Sequence, residues 1–346
     1  MTRRTISALA AVALLCAACT TGGRLSDPVE VSAVPVEDNS LALDECTPAQ
    51  ANAISPLASY KPLDALPAAG STDDAFLKAI FARGKLVVGV SPDTLRFGAR
   101  NLQYDPANPD GQLPYEGFDI DVLVQVAIAI FGGDGTTVGQ HLEFLAMPYK
   151  DRIPKLLLGA DKGGVDIVAH TMTINCKRWN VIDFSVEYFA AGQKVLVLKG
   201  STLTGLDDMN AKHSTVCVPA GSTNLDKLNA DYTGITQKVE ADTSDCLVDL
   251  QQGTVEAITG DDTVLAGLAV QDPATVVVGD AVTSEPYGLG IADGHVYFVK
   301  FVNRVIANMI KDGSWAASYQ KWLVPSLSAD VPSPPRPDTS RPEPGS

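Results

Sequence analysis

Short apolar, β-rich runs alternate with helical patterns along most of this chain, and that alternation constrains its fold more than any other feature. Strand-length runs lie at 86–90, 142–146, 165–169, 194–199, 214–218, 256–259 and 276–279. Helical spacing marks 119–131, 149–158, 223–229, 245–252, 262–269, 296–311 and 314–322. Strands separated in this way argue for α/β with largely parallel strands. The pattern at 119–131 starts at Asp119, is apolar on most faces and stops at Gly132-Gly133. Ahead of it, Ser71 reads as an N-cap with Asp74 three residues on, and Gly84 stands where a helix-ending glycine belongs. The length of 346 residues suggests two domains or lobes, at roughly 150 residues each.

The charge excludes one class of partner. With 26 Lys+Arg against 41 Asp+Glu the formal charge is −15. A nucleic-acid binder needs a basic face to neutralise phosphates, and no Lys/Arg run occurs after the first few residues. The expectation is no nucleic acid.

The flanks read differently from the body. Arg3 and Arg4 precede an apolar run over 6–18 that falls short of the roughly 20 residues a spanning helix needs. A basic start, a short apolar stretch and small residues before a cysteine read as an export signal over 1–18. Cys16-Ala17-Ala18-Cys19 resembles a bacterial lipobox with Cys19 as the acylated residue, although Cys16 stands where leucine is usual. The alternative is an ordinary secretory signal with a bystander cysteine. Residues 19–45 then form a lipid-linked flexible tether, 46–71 an irregular proline-bearing arm, and 325–346 a disordered Pro-rich tail.

Four further cysteines, Cys46, Cys176, Cys217 and Cys246, suggest two disulfides in an exported chain. Cys217–Cys246 closes a loop of ~30 residues, worth ~3 kcal/mol in the chain-entropy view. Cys46–Cys176 would tie the arm to the body, and buried free thiols are the alternative. No C-x-x-C or H-E-x-x-H spacing supports a metal, and no cofactor is expected.

An ordered set of motifs carries more. Tyr115-Glu116-Gly117-Phe118-Asp119-Ile120-Asp121 follows the first strand, and Arg152-Ile153-Pro154 lies in the next helical pattern. Val165-Asp166-Ile167-Val168-Ala169 leads into Thr171-Met172-Thr173, Arg178 and Ile182-Asp183-Phe184-Ser185. Gly221-Ser222-Thr223, Cys246-Leu247-Val248-Asp249, Asp261-Asp262 and Glu285-Pro286-Tyr287-Gly288-Leu289-Gly290 come later. Over 72–324 this set resembles the polar-amino-acid-binding proteins of ABC uptake systems, family 3 solute-binding proteins, and most of all the actinobacterial glutamate/aspartate/glutamine-binding lipoproteins. The resemblance implies a periplasmic-binding-protein-like α/β fold of type II, with two lobes and two crossover hinge strands. Lobe 1 would comprise 72–190 plus 287–324 and lobe 2 would comprise 191–286, with hinges at 193–198 and 284–288.

It also implies a ligand site. A free amino acid needs an anion site for its carboxylate and acceptors for its ammonium. Arg178 is the carboxylate partner, because a guanidinium binds carboxylate bidentately and keeps its charge. The resemblance adds Thr173 on the same carboxylate and Thr171 near the ammonium. It gives the ammonium to Asp261, with Asp262 as the next helix's N-cap, though the two could be exchanged. Ser222 and Thr223, after Gly221, suit an anion through backbone N–H groups or simply cap a helix. Arg152 matches the position that reads a side-chain carboxylate, with a helix-surface residue as the alternative; the first loop adds Arg96 and Arg100, of which the resemblance favours Arg100. Phe97 and Tyr287 are candidate walls or simply core residues, and Thr243 is a weaker contact candidate.

The expected function is a monomeric, lipid-anchored capture protein on the outer face of the membrane. It would bind glutamate or aspartate, or their amides, and hand them to an ABC permease. A sensor subunit read by a membrane signalling protein is the alternative. A dehydratase on the same fold is a third reading, with Asp261, Glu285 and His170 as its only cleft candidates. No nucleophile–base pair, G-x-S-x-G, P-loop or G-x-G-x-x-G context accompanies them, and Gly132-Gly133-Asp134-Gly135 reads as a loop.

Overall fold

The computed structural model describes residues 41–107, 111–327 and 330–345. The expected export signal, Cys19 and most of the tether lie outside the described residues. In chain order the strands are β1 Leu86–Val90, β2 Asp93–Thr94, β3 Gly98–Arg100, β4 Tyr115–Glu116, β5 Leu142–Ala146, β6 Ile167–Ala169, β7 Ile182–Phe184, β8 Phe189–Ala191, β9 Gln193–Leu198, β10 Thr215–Pro219, β11 Thr236–Glu240, β12 Ala257–Asp261, β13 Thr275–Val278, β14 Glu285–Tyr287 and β15 Gly290–Ala292.

They form two five-stranded sheets, ordered β5-β1-β6-β15-β7 and β11-β10-β12-β9-β13. In the first, β1 runs parallel to β5 and β6, and in the second β10 runs parallel to β11 and β12. The sheets are largely parallel, as expected, with one antiparallel strand in each. β15 is antiparallel to β6 and β7, and β9 is antiparallel to β12 and β13. Both are the strands by which the chain enters a sheet from the crossover, and they run against the other strands of that sheet. The crossovers are β8 and β14, which pair antiparallel as a two-stranded ribbon. The chain therefore leaves the first lobe through β8, builds the second, and returns through β14.

Burial explains why the strand runs are continuously apolar. All five residues of β1, Leu-Val-Val-Gly-Val, are buried, as a parallel strand covered on both faces requires. In the second lobe alternate residues feed opposite faces. Val195, Val197, Val216 and Val218 pack with Leu206 and Met209 on one side. Leu196, Cys217 and Ile258 pack with Cys246 and Leu265 on the other.

Both cysteine bridges are present. Cys217–Cys246 pins helix Thr243–Gln252 against β10, with Cα atoms 5.5 Å apart. Cys46–Cys176 ties the arm to the short helix Cys176–Trp179, at 6.0 Å.

Three local expectations are corrected. Asp74, not Ser71, caps helix Ala75–Arg83: its carboxylate accepts from the Leu77 N–H at 2.9 Å, whereas Ser71 turns its own N–H to the Ala68 carbonyl. Within the arm, Pro48–Ala53 is one helical turn capped by Thr47. The C-terminal segment is not disordered along its described length. It lies as a strap on the first lobe, where the Arg341 guanidinium stacks 3.4 Å from the Trp179 ring centroid and its Nε donates to the Ala58 carbonyl at 2.7 Å. Lys300 pairs with Glu343. A strap needs a few specific anchors rather than an apolar period, which is why periodicity does not reveal it.

Candidate ligand-binding cleft

The cleft lies between the lobes beside the crossover ribbon. Tyr149, Arg152, Thr171 and Thr173 line it from the first lobe, and Ser222, Thr223, Asn224, Thr243 and Asp261 from the second.

Two arginines dominate the electrostatics here: Arg152 on the cleft wall, and Arg178, which lines the adjoining groove with Tyr149, Arg152 and Gly221 and not the wall itself. Arg152 is the first residue of helix Arg152–Leu158 and is 3% exposed. Its Nε donates to the Tyr149 carbonyl at 2.9 Å, Nη1 to the His170 carbonyl at 3.1 Å and Nη2 to the Gly221 carbonyl at 3.1 Å. The Tyr149 ring centroid lies 4.8 Å from its guanidinium carbon. Arg178 is equally buried, and its Nη1 donates to the Thr173 carbonyl at 2.7 Å. Its Nη2 reaches the same Gly221 carbonyl at 3.5 Å. Among the described residues neither arginine has an ion pair. Burial, then the nearby Arg178, pulls the Arg152 guanidinium down to about 9, and burial lowers Arg178 as well. Two desolvated cations held by carbonyl dipoles, one of them also by the Tyr149 ring, with carboxylates such as Asp261 acting on them only from beyond ion-pair distance, favour an incoming anion.

Acceptors face them from the second lobe. Asp261 ends β12; its Oδ1 accepts from Asn224 Nδ2 at 2.9 Å and its Oδ2 from the Tyr287 hydroxyl at 2.6 Å. Burial, then the Glu285 carboxylate, pushes the Asp261 carboxyl up to about 8. Asp262 is not the helix cap. Asp261 occupies the N-cap position, while Asp262 begins the helix and its Oδ1 accepts from the Gly192 N–H at 3.4 Å in the first crossover.

Thr171 is held in an unusual backbone state, φ 41°, a genuine outlier for a β-branched residue. Asp119 fixes it: its Oδ2 accepts the Thr171 N–H at 3.0 Å and its Oδ1 the Tyr188 hydroxyl at 2.6 Å. Burial lifts Asp119 to about 6. The Thr171 hydroxyl is buried with no partner among the described residues, on the cleft wall. The Ser222 hydroxyl donates to the Pro219 carbonyl at 2.7 Å and accepts from the Leu225 N–H at 3.1 Å, so it serves the turn and the cap. His170, next to Arg152, is driven down to about 3 by burial and that cation; its Nε2 lies 3.0 Å from the Met147 carbonyl.

Four expected residues stand elsewhere. Arg100 is exposed on β3, opposite Tyr115. Arg96 sits in the β2–β3 turn at φ 78° and is not on the cleft wall. That turn drives Phe97 inward, where it is fully buried against Phe118, Phe189 and Tyr287. Tyr287 is no wall either; it lies beneath the floor and braces Asp261. Sequence reading missed Tyr149 and Asn224. Tyr149 precedes the arginine helix, and Asn224 follows the Gly-Ser-Thr run, so position in a motif was their only signal.

Residues 95–325 match the bacterial extracellular solute-binding proteins, family 3. The chain belongs to this family. It is 32% identical over 247 residues to the ABC transporter glutamine-binding protein GlnH of Bacillus subtilis, covering 71% of this chain and 84% of that one. It is 31% identical over 271 residues to the glutamate-binding protein GluB of Corynebacterium efficiens, covering 74% and 83%. The solved structure of the ancestral amino acid-binding protein AncCDT-1, a precursor of cyclohexadienyl dehydratase, superposes with a TM-score of 0.61 at 28% identity, covering 72% and 99%. The two-lobed α/β architecture of this solute-binding protein is thus the type II periplasmic-binding-protein fold that the motifs implied.

Proposed function

We infer that this protein captures an acidic amino acid, glutamate or aspartate, between its lobes and presents it to the membrane permease of an ABC transporter. The observation that carries the reading is the buried pair Arg152 and Arg178, converging on the Gly221 carbonyl with no carboxylate at ion-pair distance among the described residues. Arg178, on the Thr173 side, takes the α-carboxylate. Arg152, on the Tyr149 side, takes the side-chain carboxylate. Asp261 receives the α-ammonium through a charge-assisted hydrogen bond, worth ~1.5–3 kcal/mol. Thr171 contributes beside it, and Thr243 and the backbone at Ser222 and Thr223 complete the enclosure. Asparagine and glutamine fit the same frame with a weaker hold on Arg152. The names of GlnH and GluB, read onto this chain, support a glutamine- or glutamate-type ligand.

The protein is exported, anchored by lipid at Cys19, monomeric and not catalytic. Its negative surface does not oppose an acidic ligand, because two local guanidinium groups decide the potential inside the cleft. Calorimetry on the purified mature protein with free glutamate, aspartate, glutamine and asparagine tests the reading. Absence of heat and of any thermal shift with all four sinks it. Detergent release of the full-length protein from membranes, lost in Cys19→Ala, tests the anchor.

A further inference from the structure

Glu285 belongs to neither large sheet. It opens β14, pairs with Ala191 across the crossover ribbon and is 3% exposed. Its carboxylate is nonetheless reached from both lobes. Thr173, in the loop after β6, donates its hydroxyl proton to Oε2 at 2.7 Å. Thr223, the first residue of helix Thr223–Asp231, donates to the same oxygen at 2.7 Å. Thr283 donates to Oε1 at 2.6 Å. The Thr173 and Thr223 hydroxyl oxygens stand 3.4 Å apart, one on each lobe.

We propose that Glu285 is a positioning residue that makes the cleft select the ammonium group of its ligand and clasps the closed lobes. A threonine hydroxyl carries one proton and two lone pairs. With both protons drawn to Glu285, Thr173 and Thr223 present only acceptors to the cleft. Glu285 itself is absent from the cleft wall and lines the groove on the outer side, beside Cys46 and Lys177. The ligand therefore meets two hydroxyl lone pairs together with the Asp261 carboxylate. That is three acceptors, matching the three protons of an ammonium. This moves the Thr173 hydroxyl from the carboxylate end of the ligand to the ammonium end, and leaves the α-carboxylate to Arg178 and backbone N–H groups. Opening the lobes must break at least one of the two bonds to Oε2, since their donors part company.

The inference rests on the amino-acid reading, and one experiment separates the two. Mature wild type, Glu285→Gln and Glu285→Asp are titrated by calorimetry, or by displacement for weak binding, with glutamate and its des-amino counterpart glutarate. In the glutamine variant the amide N–H displaces one threonine proton into the cleft, toward the ammonium. Glutamate affinity is expected to fall about tenfold or more, the scale of a charged hydrogen bond. Glutarate affinity should stay within about threefold, and the aspartate variant should recover part of the preference. Equal losses for both ligands, or an unchanged preference for glutamate, overturn the assignment of Glu285. Wild type that binds no amino acid at all removes the underlying function and this role with it.

Discussion

The Gly221 carbonyl lies 3.1 Å from Nη2 of Arg152, so a glycine of the second lobe closes onto a guanidinium of the first. The same glycine, at φ +72°, has no room for a side chain: a Cβ there would stand 2.6 Å from the Lys150 Cα. The contact needs glycine for both conformation and clearance. Gly221→Ala should therefore hold the lobes apart while leaving each lobe folded. Amino-acid affinity should drop at least about tenfold, with far-UV circular dichroism unchanged. Affinity equal to wild type would show that closure does not bring these residues together.

The two arginines differ in what they should cost. Arg178→Ala removes the α-carboxylate partner and should abolish binding of every amino acid. Arg152→Ala should weaken glutamate and aspartate far more than glutamine and asparagine, because a side-chain carboxylate loses a charged partner while an amide loses a neutral one. A titration panel over the four ligands checks this. Equal losses across all four would remove Arg152 from the side-chain role.

Asp261 makes binding sensitive to pH. Its carboxyl is raised from 3.8 to about 8, so it is largely protonated in the empty cleft at neutral pH. Glu285, Tyr287, Asp262, Asn224 and Arg152 surround it, and an arriving ammonium favours its ionised form. Binding should then release a proton, and affinity should rise with pH up to about 8, by at most about tenfold per unit. Calorimetry in two buffers of different ionisation heat reads the proton count directly. A count of zero at neutral pH would refute it. For the ligand-free protein the sign is opposite: a carboxyl raised by folding costs stability progressively as pH climbs from 3.8 toward about 8.

Loss of the Cys217–Cys246 bridge should be felt by the second lobe. The bridged residues are separated by 29 positions, and removal costs ~3 kcal/mol in the chain-entropy view. The double serine variant should unfold at lower denaturant concentration. A midpoint equal to wild type, measured without reductant, would contradict the bridge's contribution.

The C-terminal strap should contribute to stability and not to binding. Deleting 330–346 removes the Arg341 stack on Trp179 and the Lys300–Glu343 pair. A cation–π contact is worth ~0.5–2 kcal/mol, so melting should fall by a few degrees, about 2–4 °C per kcal/mol at this size. Ligand affinity should not change. An unaltered melting temperature would mean the strap is held too loosely to matter.

Local chemistry was legible from the sequence alone wherever burial imposes a period. The all-apolar run of β1, the helix that the structure places at Phe118–Phe131 and the Gly84 helix end follow from residue order, because side-chain faces repeat every two or 3.6 residues. The ordered motifs, through resemblance, also pointed to Arg152, Thr171, Thr173 and Asp261, which the fold brings to one cleft.

Pairing across the chain was not legible. Nothing local distinguishes Arg100, exposed on a small sheet, from Arg152, buried between lobes; only the topology decides which guanidinium loses its water. The same holds for Glu285, whose partners Thr173 and Thr223 lie 112 and 62 residues away in sequence. It holds too for Arg341, which finds its Ala58 carbonyl 283 residues upstream. The reversed direction of β9 and β15 follows from where the chain crosses between lobes. A residue's period reports which way it faces in its own element, whereas its partner depends on how distant elements pack, and the tertiary structure alone sets that.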